Sequence, residues 1–512
     1  MGTHLRGLPA RRLALAVALI APGVITATAN ARPIPPGRGM DEATTFVGRP
    51  AVPKPVPLQR APQNPFMAAR DGSNIHNNAY MTDSYRQRGP LGRNSTVSSV
   101  WAKGECASVT FTRKGQIVAI CLLPGRPAYL TLMDPDTLDV ITRLALPAVP
   151  ATTRTTPAGP AARDYTELSG GYFYLDNRDR AVVSTATRHV ITYRIAGRGA
   201  RQAFKVVSDV DLTGVVAADD VIESALPDYA GNIWFVTLND GRVGYIDRAT
   251  KTPRVMTLGS ADGEEQIANS FAMGRSGGVY VVSTTALYRF DAATFPNPTW
   301  RTAYENAGVQ KPGQKSIGSG TTPTILPRNR VAIVDNAAPR ENIVVYNART
   351  GSEVCREPIF RPGRSATENS LIAVGRSLIV ENNYGNVGPQ STTLGRTTSP
   401  GITRVDVSPA GVCSTVWENT SVSAPSVVPK FSARAGLIYT YTKPKGPGTI
   451  DPWYWTAIDF RTGKTVYKHL VGTGVAYNNN YASLYLGPDG AGYVGVAGGL
   501  VRISDTSRGT AG

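Results

Sequence analysis

The chain reads as an all-β protein, a single β-propeller of eight four-stranded blades, with seven as the alternative count. Three observations predict this. A strand–turn–strand–turn–strand pattern recurs at a spacing of roughly 45–60 residues, the length of one propeller blade with its loops. Beyond residue 31 no segment of ten or more residues carries a 3.6-residue apolar period. The 512 residues include 52 Gly, 38 Pro and 22 Tyr, with 18% charged residues, a composition of turns and short strands rather than of helical bundles or coiled coils.

Residues 1–31 have the form of a secretory signal. Arg6, Arg11 and Arg12 precede an apolar run from Leu13 to Ile25, and Ala29-Asn30-Ala31 supplies a small-x-small cleavage site. The run is shorter than the roughly 20 residues that a membrane span needs, and no later segment is long and apolar enough. Loss of these three arginines takes the formal charge from +17 to +14. The expectation is a secreted, extracytoplasmic, monomeric protein. Residues 32–72 follow as a Pro-rich linker, with nine Pro between Arg32 and Arg70, lying along or tethering the propeller of residues 73–512.

The repeat is clearest over 267–291: a strand, a Gly turn, a second strand, a tight turn, and a third strand ending at Asp291. It recurs from Ile222 to Asp247, from Glu368 to Asp406 and from Asn480 to Asp505, with weaker copies starting near Glu105, Glu167, Thr322 and Pro425. Several copies enter a fourth strand through Asp134-Pro135-Asp136-Thr137, Asn347-Ala348-Arg349-Thr350-Gly351 or Asp459-Phe460-Arg461-Thr462-Gly463. Strand exchange between the first and last copies would reduce eight blades to seven. Insertions at 148–163, 383–401 and 443–453 are rich in Pro, Gly, Thr and Ser and read as surface loops.

The four cysteines are all in the mature part and suit disulfides in an exported chain. Cys106 and Cys121 flank a hairpin turning at Lys114-Gly115, where cross-strand neighbours can bridge. Cys355 and Cys413 hold similar places in two successive repeats.

The stretch Ala457-Ile458-Asp459-Phe460-Arg461-Thr462-Gly463-Lys464-Thr465-Val466-Tyr467 resembles the blade repeat of quinoprotein-type propellers, which place Asp, then Thr-Gly, then an aromatic residue. The aromatic place here holds Tyr467, Cys355 or Cys413, and no Trp. Gly231-Asn232-Ile233-Trp234-Phe235-Val236 is similar to the second strand of gluconolactonase and strictosidine-synthase-like propellers. The resemblance implies the fold at superfamily level and carries no activity with it. Quinone-cofactor dehydrogenases of this fold often set adjacent cysteines over the cofactor; this chain has no such pair and no Cys-x-x-Cys-His for haem, so no quinone is expected. The Gly-rich stretch 318–320 lacks the Lys and helix of a phosphate loop, so no nucleotide is expected either.

Aligning the copies by their first strand places Glu105, Glu167, Glu223, Asn269, Asn369 and Asn480 at the strand entrances. First strands line the channel of a propeller, so these oxygens can form a ring suited to a hard cation such as Ca²⁺. The gluconolactonase resemblance implies a metal held in this way, polarising a lactone or ester carbonyl. Asp335-Asn336 and Glu381-Asn382-Asn383 are further candidates. The competing reading makes all of these turn residues that bond nearby backbone. His76, in the polar run 73–83, is the candidate general base over the channel mouth, against a role as a hydrogen-bonded loop residue. The Gly-x-Ser-x-Gly match at Gly274–Gly278 falls in the Gly turn between two strands of the repeat and has no helix after it, so no nucleophile elbow supports a serine hydrolase. The positive charge is scattered, with no run of five basic residues, which argues against nucleic acid and leaves a small molecule or an anionic envelope polymer as the expected partner. The leading reading is ligand or partner binding at the channel face; the alternative is a Ca-dependent lactonase or esterase.

Overall fold

The computed structural model describes residues 32–506 apart from 70, 103, 123–125, 152, 154–170 and 261–262. The signal read at 1–31 and the candidate Glu167 lie outside the described residues.

Eight antiparallel four-stranded sheets follow one another along the chain. They are blade 1 (105–145), blade 2 (174–211), blade 3 (222–257), blade 4 (272–303), blade 5 (324–358), blade 6 (372–419), blade 7 (430–473) and blade 8 (484–505). The only helices among the described residues are single 3₁₀ turns, such as Pro389–Ser391. Within a blade the inner strands are buried on both faces between neighbouring blades, so they read as continuous apolar runs: Ile117–Leu122 is buried throughout. Outer strands are half solvated, as in Ala203–Asp211. The apolar core accordingly lies between blades, with Ile120 and Leu132 of blade 1 packed with Phe173 and Val183 of blade 2.

Strand exchange occurs, yet the count stays at eight. The outer strand of blade 8 is Ser95–Trp101, which precedes blade 1 in the chain and pairs antiparallel with Gly499–Asp505. This closes the ring by hydrogen bonds between its two ends.

The Asp-to-Gly turn of the repeat has a direct physical basis. The Asp459 carboxylate accepts the backbone N–H groups of Arg461 (2.9 Å) and Thr462 (3.0 Å). Asp134 and Asp247 do the same for the residues two and three positions on. Gly463 then takes a left-handed φ of +69°, as Gly351 does at +75°. A Cβ at Gly463 would lie 2.5 Å from the Trp417 ring, and one at Gly351 would lie 2.7 Å from Trp300. Each indole comes from the outer strand of the preceding blade, and Trp417 Nε1 donates to the Phe460 carbonyl at 2.9 Å. Trp300 and Trp417 thus pack on the turn Gly of the next blade from outside the aromatic place of the repeat, which holds Tyr467, Cys355 or Cys413 as read.

Both disulfides form. Cys106 faces Cys121 across the first hairpin of blade 1. Cys355 joins Cys413, tying the outer strands of blades 5 and 6.

The Pro-rich segment is packed against the body. Phe46–Gly48 adds a strand to the outer edge of blade 7, with Phe46 opposite His469. Lys54 and Val56 donate their N–H groups to Ala435 (3.0 Å) and Ala433 (2.9 Å). Ile34 and Ala51 are buried.

Candidate functional site

The next stretch of chain fills the middle of the propeller. From residue 73 to 87 it circles the channel as a belt, bonded to one inner strand after another. Leu175 of blade 2 donates to the Ser73 carbonyl, Met273 of blade 4 to Ala79, Ile325 of blade 5 to Tyr80, Ala373 of blade 6 to Thr82 and Phe431 of blade 7 to Asp83, at 2.8–3.0 Å. Gln87 reaches blade 8 through the Leu486 carbonyl at 2.6 Å. Ser84–Tyr85 lies parallel to Lys430–Ser432. The tight curvature places Asn77, Met81 and Asp83 at φ of +53° to +65°, a region that Asn and Asp tolerate and Met seldom occupies.

His76 sits inside this belt, 2% exposed, and not over an open mouth. Its Nδ1 is 3.0 Å from Asp83 Oδ2, and its Nε2 is 3.5 Å from Ser370 Oγ. Asp83 also accepts a hydrogen bond from Lys430 Nζ, which donates as well to the Ile75 carbonyl at 2.8 Å. Burial pulls the Lys430 ammonium below the usual lysine range, against the pull of Asp83. The Ser370–His76–Asp83 connectivity matches that of nucleophilic triads. Ser370 Oγ, however, accepts the Thr322 N–H at 3.1 Å, the residue is 3% exposed, and Asp83 is already neutralised by Lys430. The basin at the far mouth is not lined by His76, Asp83 or Ser370.

At the strand entrances the candidate ligands are distributed among local tasks. Glu105 Oε1 accepts the Asn480 N–H at 2.8 Å, joining blade 1 to blade 8. Asn269 Oδ1 accepts the Tyr172 hydroxyl at 3.0 Å. Asn369 Nδ2 donates to Glu381 Oε1 (2.5 Å) and to the Ser426 and Val427 carbonyls (3.0 and 2.9 Å). Glu223 is buried beside Tyr172, whose hydroxyl it holds above the usual range together with burial, the larger effect. Asp335 holds both nitrogens of Asn342 at 2.7 Å, and burial pushes its carboxyl up to about 6. Asn383 Oδ1 accepts the Glu368 N–H, and Asn382 Nδ2 donates to Arg364. Glu381 is fully buried, and desolvation raises its carboxyl to about 8. Among the described residues no three His, Cys, Asp or Glu side chains gather as they would around an ion. Two of these links join neighbouring blades, Glu105 to Asn480 and Asn369 to Ser426 and Val427, whereas Asp335 with Asn342 and Asn369 with Glu381 bond within one repeat.

One layer deeper lies a feature that the strand-entrance alignment missed. Small hydroxyl residues link adjacent blades: Ser224 to Ser270 at 2.8 Å, Thr322 to Ser370 through the backbone, and Ser426 to the Asn479 carbonyl at 2.6 Å. The signal was present as the Ser that follows Glu223, Asn269 and Asn369. Above the entrances, Tyr481 donates to the Gly313 carbonyl at 2.9 Å and accepts from Asn386 at 3.3 Å, so loops of blades 5, 6 and 8 meet over that mouth.

The opposite mouth is open. A concavity of about 1730 Å³ is bounded by the turns that end the first strands of blades 1, 2, 7 and 8, through Thr112, Asp179, Ala433 and Pro488, and by the leader at Pro55 and Leu58. Six arginines rim it: Arg60, Arg86, Arg88, Arg93, Arg113 and Arg434. Four aspartates, Asp71, Asp179, Asp489 and Asp505, share the rim. Three of those are engaged locally. Asp489 pairs with Arg502 at 3.0 Å, Asp179 with Arg113 at 3.9 Å, and Asp505 takes the N–H groups of Leu91 and Arg93 and the Ser95 hydroxyl. Asp71 is raised by burial, offset by the Arg86 N–H and the charges of Arg60 and Arg86. The guanidinium groups of Arg60, Arg86, Arg88 and Arg434 make no salt bridge or hydrogen bond with a described residue. This basin is the candidate binding site.

No family model matches the chain. An uncharacterized protein of Archaeoglobus fulgidus is 26% identical over 376 residues, covering 66% of this chain and 70% of that protein. Among solved structures, the quinohemoprotein alcohol dehydrogenase of Comamonas testosteroni superposes with a TM-score of 0.55 at 11% identity, covering 86% of this chain and 82% of that one. A europium-containing methanol dehydrogenase gives 0.47 at 12% identity, over 83% and 89%. Both disulfides of this chain lie in strand pairs within or between blades, and the belt runs along the channel wall. What is shared with the quinohemoprotein alcohol dehydrogenase is the fold, and by fold this chain is a β-propeller of eight blades.

Proposed function

We propose that this is an exported binding propeller without turnover, which holds an anionic ligand or partner in the arginine-rimmed basin. The observation that carries the reading is the pairing of an axis locked by the chain's own belt with a large open basin at the far mouth. The belt occupies the axis among buried polar groups, most of them hydrogen-bonded, with Asn269 Nδ2, Thr322 Oγ1 and Glu381 Oε2 making no hydrogen bond to a described residue. The basin combines preordered backbone with unpaired guanidinium groups, and a volume above the roughly 300–1,000 Å³ usual for small-molecule sites. In this reading Glu105, Glu223, Asn269, Asn369 and Asn480 are staples between blades, and His76 orients Asp83. The alternative assignment of these groups to a Ca²⁺ site in a lactonase or esterase predicts a melting midpoint that rises with calcium and falls on chelation.

Filling the basin tests the proposal. Ala69 is exposed on its wall, and Ala69→Trp should abolish capture of acidic glycans and peptides on an array. Val387→Trp, at a 61%-exposed position beyond the strand entrances, should leave capture unchanged. The reverse pattern would move the binding face to the other mouth.

A further inference from the structure

We infer that the basin recognises a linear, base-free phosphate polymer, an inference that rests on the basin being the binding site. The argument begins with side-chain type. All six cations on the rim are arginines, and a guanidinium presents a planar fork that meets two oxygens of a phosphate at once, which an ammonium cannot do.

Their anchoring differs from that of ordinary surface arginines. Arg86 and Arg88 flank Gln87, which is fixed to the Leu486 carbonyl, and the Tyr85 carbonyl accepts the Ala433 N–H at 2.8 Å. Arg434 directly follows Ala433, whose carbonyl also receives Val56 N–H. Three chain segments, the leader, the belt exit and the first turn of blade 7, therefore converge with rigid backbone while their guanidinium groups stay uncommitted. Such an arrangement lowers the ordering cost of binding.

The lining also excludes alternatives. Among the described lining residues the single aromatic, Phe111, is buried against Tyr493 and presents no face for stacking bases or sugar rings. Pro50, Pro55, Leu58 and Pro488 provide apolar wall instead. Repeated anionic groups on a flexible backbone match this lining; nucleobases do not. The basin is also far larger than one phosphate requires.

Titration of fluorescently labelled inorganic polyphosphate and of poly(glycerol phosphate), each over a salt series, tests the inference. Four phosphate contacts should give a log Kd against log salt slope of about 3, by the single-strand value of about 0.7 per contact. Arg86→Gln and Arg434→Gln should each weaken binding about tenfold and remove nearly one contact from that slope, with melting midpoints unchanged. Arg434→Lys should keep the slope and lose affinity, because the charge stays and the fork is gone. Binding of one polymer and not the other identifies the source of the phosphate. Equal binding of single-stranded DNA would overturn the base-free assignment. Failure of both polymers, while Ala69→Trp still abolishes array capture, would overturn the phosphate class and leave the basin reading standing. Capture insensitive to Ala69→Trp would remove the basin itself.

Discussion

Lys430, on the innermost strand of blade 7, donates a hydrogen bond to Asp83 of the belt, 347 positions earlier in the chain, and both side chains are wholly buried. Burying the two charges is costly, and the attraction between them offsets the cost only while both are present. Lys430→Met should therefore destabilise the protein by about 3–5 kcal/mol, since it strands a carboxylate whose remaining partner is His76. Adding Asp83→Asn should recover much of that loss. Urea unfolding of the two single variants and the double variant measures the coupling; additive losses would show that the pair does not act as a unit.

Glu381 sets a pH dependence. Its carboxyl, raised by burial to about 8, faces Asn369, and the charges of Asp83 and Lys430 act on it. The folded protein holds this proton at pH values where the unfolded chain, with a carboxyl near 4.5, has released it. Its contribution to stability is then full below about pH 4.5 and is lost as pH rises toward 8. Glu381→Gln should flatten that decline, so that unfolding midpoints between pH 5 and 8 vary less than in the wild type. A variant curve parallel to the wild-type curve would rule out Glu381 as the source.

The packing of Trp417 on Gly463 gives a sharper local test. Gly463→Ala places a methyl group 2.5 Å from the indole and a Cβ at φ +69°. A loss of about 1–3 kcal/mol is expected, as for overpacking in a tight core. Gly375, at φ +60° with open space around it, provides the control. Gly375→Ala carries the backbone penalty alone, so it should cost less, and equal losses by thermal unfolding would mean that the ring contact contributes nothing.

The architecture was legible because the blades repeat buried apolar strands, and blades 1, 3, 5 and 7 also share an Asp or Asn that caps the turn to the fourth strand with a left-handed residue after it. Leu138 and Lys251 take that left-handed place where Gly is absent. Inner strands were read as starting too early. Residues at 267–271 and 368–371 bond through side chains before regular pairing begins at Ala272 and Ile372. The belt was illegible for a different reason. Ser73 to Asp83 has no apolar period, and its partners, Ser370 and Lys430 among them, lie hundreds of positions away. The basin was hidden likewise, since Arg60, Arg86 and Arg434 become neighbours only once the ring closes.

The closure of the ring has a consequence for biogenesis. Ser95–Trp101 must wait for Gly499–Asp505, and the belt must wait for blades 2 through 8, so nearly the whole chain has to emerge before either can pair. Until then the segments before blade 1 lack these partners, with the chain's most sequence-distant contacts still to be made and slow to form. Ordering of the basin is then the last event of folding. A polypeptide stalled or cut short before blade 8 would present blades with no latch, an empty axis and no binding surface, which makes ligand capture a readout of chain completion.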